Sequence, residues 1–133
     1  MNQQNIQTTI TNILEQFPEI LIGILFGSAA EDKLTYKSDV DLAVSGHKPL
    51  SADVKKDLHE ALAVELLRPV DLIDLQITNG LILFQAITKG NRFYCKDKHL
   101  YAELMKKMLF NQADMMPYHN RILKERRERW IND

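Results

Sequence analysis

Three short apolar runs, Ile20–Phe26, Asp39–Val44 and Val70–Leu75, constrain the fold of this chain more than any other feature. The first is continuous and rich in β-branched residues, which reads as a strand buried on both faces. The second alternates, with Val40, Leu42 and Val44 on one face, until Ser45-Gly46-His47-Lys48-Pro49 breaks it. Helical periodicity fills the intervals. Ile6, Ile10, Ile13, Leu14 and Phe17 predict a helix from Asn2 to about Gln16, stopped near Pro18. Ser51 is placed to cap a helix running to about Leu67, and Arg68-Pro69 ends it. Asn79 is placed to cap another through about Lys89, with Gly90 as its stop. Arg92–Cys95 reads as a short fourth strand. From about Lys98 the chain reads as helix, with Leu100, Leu104, Met105, Met108 and Leu109 as one stripe, and Pro117 starts or kinks a last segment. Strands alternating with helices predict an α/β fold: a small mixed sheet of three or four strands flanked by helices, with a helical C-terminus.

At 133 residues the chain has the size of one domain, 1–133, with a core over about 1–97 and a helical region over about 98–133. A 45% hydrophobic, 26% charged composition is that of a globular domain rather than a disordered chain. Cys95 is the single cysteine, so neither a disulfide framework nor a zinc knuckle is available. A formal charge of −1 gives no basic footprint for direct nucleic-acid binding. Ile20–Phe26 falls far short of the roughly 18 residues of a membrane span, and the polar Met1-Asn2-Gln3-Gln4 lacks a signal-peptide pattern. A cytoplasmic, reducing setting is expected.

One constellation carries chemistry: Gly27-Ser28, ten residues, then Asp39-Val40-Asp41. Four such fixed positions match by chance about once in 10⁵ starts. Gly27-Ser28 ends the buried first strand, where a glycine lets backbone approach a ligand and exposed N–H groups with the Ser28 hydroxyl can hold phosphate oxygens. Asp39 and Asp41, two apart on a strand, point to one face and repel unless a cation sits between them. Hard oxygen donors in small number suit Mg²⁺ completed by phosphate oxygens. Asp71 lies on the next predicted strand and joins the pair if that strand neighbours Asp39–Val44. Two metal ions would then be bridged, activating a hydroxyl and stabilising a leaving pyrophosphate. Asp74, three residues on and facing the opposite way, is the rival third carboxylate.

These residues resemble the nucleotidyltransferase superfamily, whose signature is a Gly-Ser pair, a spacer and Asp-x-Asp. The short chain and ten-residue spacer are closest in kind to the minimal nucleotidyltransferase (MNT) antitoxins, paired with HEPN-domain ribonuclease toxins. The resemblance covers about Ile20 to Leu75. It implies a sheet bearing the catalytic carboxylates, ATP as substrate, Mg²⁺ (two ions), and transfer of AMP to a tyrosine hydroxyl of the cognate HEPN toxin in a type VII-like toxin–antitoxin system. By position it implies that Gly27 and Ser28 hold the triphosphate and that Asp39, Asp41 and Asp71 are the catalytic, metal-binding carboxylates. Many relatives carry arginines soon after the Gly-Ser pair. Here Ala29-Ala30-Glu31-Asp32 stands there, and Lys33 or Lys37 is left to supply the positive charge. Two other readings stay open: an antitoxin that masks its toxin without chemistry, and a small-molecule nucleotidyltransferase of the aminoglycoside-modifying kind.

Other residues have plainer readings. His47, His59, His99 and His119 are scattered and expected at the surface. Cys95 is expected to be a small buried hydrophobe. Tyr36 is expected to pack within its loop, and Ser38 to serve in a turn. The segment after Pro117, with Arg121, Lys124, Arg126, Arg127, Arg129 and Trp130, is either a solvated helix face or a grip for the partner.

Overall fold

The computed structural model describes residues 3–27, 39–78 and 80–110. The sequence also predicts one helical turn followed by loop over Ala29 to Ser38; that stretch, with Lys33, Tyr36, Lys37 and Ser38, lies outside those residues, as do Ser28, Asn79 and everything beyond Phe110, His119 included.

The chain alternates as α1 (Gln3–Leu14), β1 (Ile22–Phe26), β2 (Val40–Ser45), α2 (Ala52–Leu66), β3 (Val70–Asp74), α3 (Gly80–Lys89) and β4 (Asn91–Cys95). A further helix, α4, covers residues 98–110. The four strands form one sheet in the order β3-β2-β1-β4. β1 runs antiparallel to both β2 and β4, while β2 and β3 are parallel, joined by α2 as a crossover. The sheet is therefore mixed, as the alternating pattern predicts.

Each face buries its own core. Ile6, Ile10, Ile13 and Leu14 of α1 and Leu58, Leu62 and Leu66 of α2 pack on Leu25, Val40, Leu42, Val44, Val70 and Leu72. The i, i+4, i+7, i+8 spacing in α1 is that of one helix face. On the opposite face Leu83, Ala86 and Ile87 of α3 and Leu100, Leu104 and Met108 of α4 cover Ile22, Ile24 and Ala43. The expected apolar stripe of α4 divides here. Its i, i+4, i+8 members are buried, while Met105 is 40% and Leu109 58% exposed, because the helix presents only a narrow face to the sheet. Cys95 is half-buried rather than enclosed, since β4 is an edge strand with one side open.

Element ends follow local chemistry. Ser51 accepts a hydrogen bond from the Val54 N–H at 3.2 Å and caps α2. At the other end Leu67 takes a left-handed conformation, and its N–H donates to the Ala63 carbonyl, so α2 stops one residue short of the expected end. β1 begins at Ile22 rather than Ile20, although the Leu21 N–H already donates to the Ser45 carbonyl. Asp97 caps α4 through its Oδ1, which accepts from the N–H groups of His99 and Leu100. Lys107 ties α4 to the turn after β3, its ammonium donating to the carbonyls of Leu75, Gln76 and Thr78 at 3.2 to 3.4 Å.

Candidate active site

The strand registers assemble the carboxylates. Asp41 on β2 stands opposite Phe26 on β1 and beside Asp71 on β3. Neighbouring strands lie about 4.8 Å apart, so register partners on one face are immediate neighbours. Asp39 precedes Asp41 by one pleat period. Along β2 this face passes from exposed Asp39 through half-buried Asp41 to buried Ala43, and along β3 from exposed Asp71 to half-buried Ile73. The helices α3 and α4 thus seal the lower part of the face and leave its upper end open, with three carboxylates at the rim.

Electrostatics mark the same place. Asp41 has its pKa raised above the usual carboxylate value, first by burial and then by the charges of Asp71 and Asp39. The sheet therefore holds an ionised Asp41 only at a cost that a cation relieves. Among the described residues no cluster closes into a ready-made metal cage. Mg²⁺ is a cation that binds through one or two carboxylates and completes its shell with water and substrate phosphate. Added Mg²⁺ is expected to raise the Tm of the wild-type chain at pH 7 and to have a smaller effect on Asp41→Asn. Thermal melts with and without the ion check this.

Gly27 closes the site on the β1 side. Its φ of +67° lies in the left-handed region, and a Cβ placed there would collide with Oδ2 of Asp41. The Gly27 backbone therefore lies directly against the Asp41 carboxylate, and a side chain at this position would push that carboxylate aside. Ser28, its expected phosphate-binding partner, lies outside the described residues.

Asp74 is engaged elsewhere. It is 2% exposed, and its oxygens accept hydrogen bonds from the Leu50 N–H at 2.8 Å and the Gln76 N–H at 2.9 Å. It is a structural carboxylate that pins the loop before α2 to the end of β3. The two aspartates should therefore separate cleanly. Asp74→Ala is expected to cost about 3 kcal/mol of stability through two lost charge-assisted bonds. Asp71→Asn, at an exposed position, should leave Tm nearly unchanged. Denaturant melts of the two variants test both.

His59 is exposed, as its pattern predicts, with its Nε2 3.0 Å from the Val70 carbonyl at the edge of β3.

A mixed sheet of this topology with its carboxylates gathered at one open end is the architecture of a nucleotidyltransferase. The family model described as "Polymerase beta, Nucleotidyltransferase" matches residues 8–99, and the chain belongs to that family. The protein adenylyltransferase MntA of Shewanella oneidensis is 29% identical over 104 residues, spanning 77% of this chain and 75% of that protein. A chain of the crystal structure of a toxin–antitoxin with AMP-PNP is similar in fold, with a TM-score of 0.73 at 23% identity over 88% of this chain and 98% of that one. The structure of the tri-AMPylated Shewanella oneidensis HEPN toxin in complex with MNT antitoxin holds a chain with a TM-score of 0.69 at 25% identity, covering 91% of this chain and 98% of that one.

Proposed function

We propose that this nucleotidyltransferase is the antitoxin of a HEPN toxin pair, and that it transfers AMP from ATP to a tyrosine hydroxyl of its cognate toxin. The observation that carries the reading is the parallel register of Asp41 with Asp71, with Gly27 turned onto the same Asp41 carboxylate. The likeness to MntA and to the toxin–antitoxin complexes supports the choice of donor and acceptor.

The residues divide the work by position. Gly27, with Ser28 after it, brings backbone N–H groups to the triphosphate on the β1 side. Asp39 and Asp41 are the ligands for Mg²⁺, with Asp71 as the third carboxylate. When bound, the ion neutralises charge on the phosphates and lowers the pKa of the attacking hydroxyl. Asp71, on the β3 side of Asp41, orients the acceptor hydroxyl. The hydroxyl oxygen bonds to the α-phosphorus, the bond from that phosphorus to the bridging oxygen breaks, pyrophosphate leaves, and the hydroxyl proton passes to solvent. Most of the rate comes from positioning and charge stabilisation rather than from a covalent intermediate on the protein.

Labelled ATP tests the reading. Label in the α-phosphate should become fixed to the partner toxin, and label in the γ-phosphate should leave as pyrophosphate. Toxin neutralised with no label retained would favour the masking antitoxin instead. Label on a small molecule in preference to the toxin would favour the drug-modifying alternative.

A further inference from the structure

A triphosphate brought to a rim of three carboxylates sets like charge against like charge, and bound Mg²⁺ offsets only part of it. The stretch after Gly27-Ser28 opens with Ala29-Ala30-Glu31-Asp32, which adds no positive charge. We propose that Lys89, the last residue of α3, supplies the missing cation: it binds the β- and γ-phosphates of the donor nucleotide at the end of β1. The proposal rests on the adenylyltransferase reading above, with the triphosphate at Gly27.

Backbone geometry brings α3 to that place. Leu83, Ala86 and Ile87 pack with Ile24 and Phe26, and Phe26 stands opposite Asp41. β4 begins at Asn91 opposite Leu25, so α3 ends at the carboxylate end of the sheet. Gly90 joins the two elements. A Cβ on it would collide with the Ala86 carbonyl and Ile24 Cγ2 and press on the Leu25 carbonyl. This glycine therefore holds the end of α3 against β1, two residues before Gly27. Lys89 is one residue, about 3.8 Å, from that contact. Its side chain is exposed, and a flexible four-carbon stem carries the ammonium toward an anion held at Gly27.

Neighbouring cations are engaged elsewhere. The Arg92 guanidinium lies 4.2 Å from the centre of the Tyr101 ring, and the Lys107 ammonium donates to three carbonyls of the turn after β3. Lys55 and Lys56 belong to α2, which covers the opposite face. Among the described residues Lys89 has no ion pair or ring contact. Strand order puts it on the donor side: Asp71 on β3, Asp41 on β2, Gly27 on β1, then β4 with the end of α3. The last carbonyls of α3 are the negative end of a helix dipole, so a cation at its last residue offsets that charge as well. No bond forms to Lys89 and no proton leaves it. It balances the charge that develops on pyrophosphate as the bond to the α-phosphorus breaks.

The test compares the wild-type chain with Lys89→Gln, each in complex with the partner toxin and Mg²⁺. Transfer is followed with ATP varied, and calorimetry measures binding of inorganic tripolyphosphate and of AMP. The KM for ATP and the Kd for tripolyphosphate are each expected to rise about tenfold, since a charge-assisted contact to phosphate is lost. AMP has no β- or γ-phosphate, so its Kd should stay the same. Lys89→Arg should restore most of both losses, and Lys106→Gln, on α4, should change neither. An unchanged KM and tripolyphosphate Kd overturn the assignment and return the charge to Lys33 or Lys37. Equal weakening of AMP and tripolyphosphate also overturns it, since the effect then does not lie at the β- and γ-phosphates. A wild-type complex that binds tripolyphosphate yet transfers nothing overturns the adenylyltransferase reading, and the tripolyphosphate comparison alone then decides Lys89. A wild-type complex that binds neither ATP nor tripolyphosphate overturns both.

Discussion

Asp39→Ala/Asp41→Ala is expected to lower nucleotide transfer by about 10³-fold or more while the fold persists. The loss is large because the proposed mechanism makes these carboxylates the ligands for the ion, and ion-mediated charge stabilisation is worth several kcal/mol in the transition state. Stability should move the other way in metal-free buffer. Asp41 has a pKa raised by burial and by its acidic neighbours, so the folded chain binds that proton more tightly than the unfolded chain does. Ionising it therefore costs folded-state stability, and the cost grows as pH rises from the usual carboxylate range through the raised value. Without a cation, the double variant should melt no lower than the wild type at pH 7, and the difference should shrink toward pH 4. Transfer assays paired with melts at the two pH values decide both halves. A marked drop in Tm at pH 7 would mean that the carboxylates support the fold rather than the chemistry.

Gly27→Val should be the most damaging substitution that leaves every carboxylate in place. The left-handed φ of +67° costs a side-chain-bearing residue about 1–2 kcal/mol, more for a β-branched one. The new side chain also enters the space of Asp41 Oδ2, so the carboxylate has to move off its position beside Asp71. A displacement of about 1 Å at a reacting centre costs on the order of 10²-fold in rate. Transfer is thus expected to fall about 10²-fold with only a modest loss of stability. Gly27→Ala should fall between this variant and the wild type. If Gly27→Val transfers normally, the backbone after β1 does not bear on Asp41 as described.

Much of this arrangement was legible in the sequence because it depends on short-range pattern. The alternation of Val40, Leu42 and Val44 fixed which way Asp39 and Asp41 face, and a strand following α2 was bound to carry Asp71 somewhere on the same sheet. What pattern does not contain is pairing. That β3 lies parallel beside β2, with Asp71 level with Asp41, is a register between strands 30 residues apart in number. The burial of Asp74 is equally non-local, since its partner is the N–H of Leu50 before α2. The split stripe of α4 shows the same limit: periodicity names a face, and only packing decides that Leu104 and Met108 are covered while Met105 and Leu109 are not. The edge position of β3 is likewise a matter of strand order, which no single strand's pattern contains.

Intact-mass spectrometry of the cognate HEPN toxin, incubated with ATP and Mg²⁺ and either the wild-type chain or Asp39→Ala/Asp41→Ala, bears most directly on adenylyl transfer by these carboxylates. The toxin treated with the wild-type chain should gain the mass of one or more whole AMP units on a tyrosine, and the toxin treated with the double variant should gain none. An unmodified toxin in both samples, or equal modification in both, would contradict it.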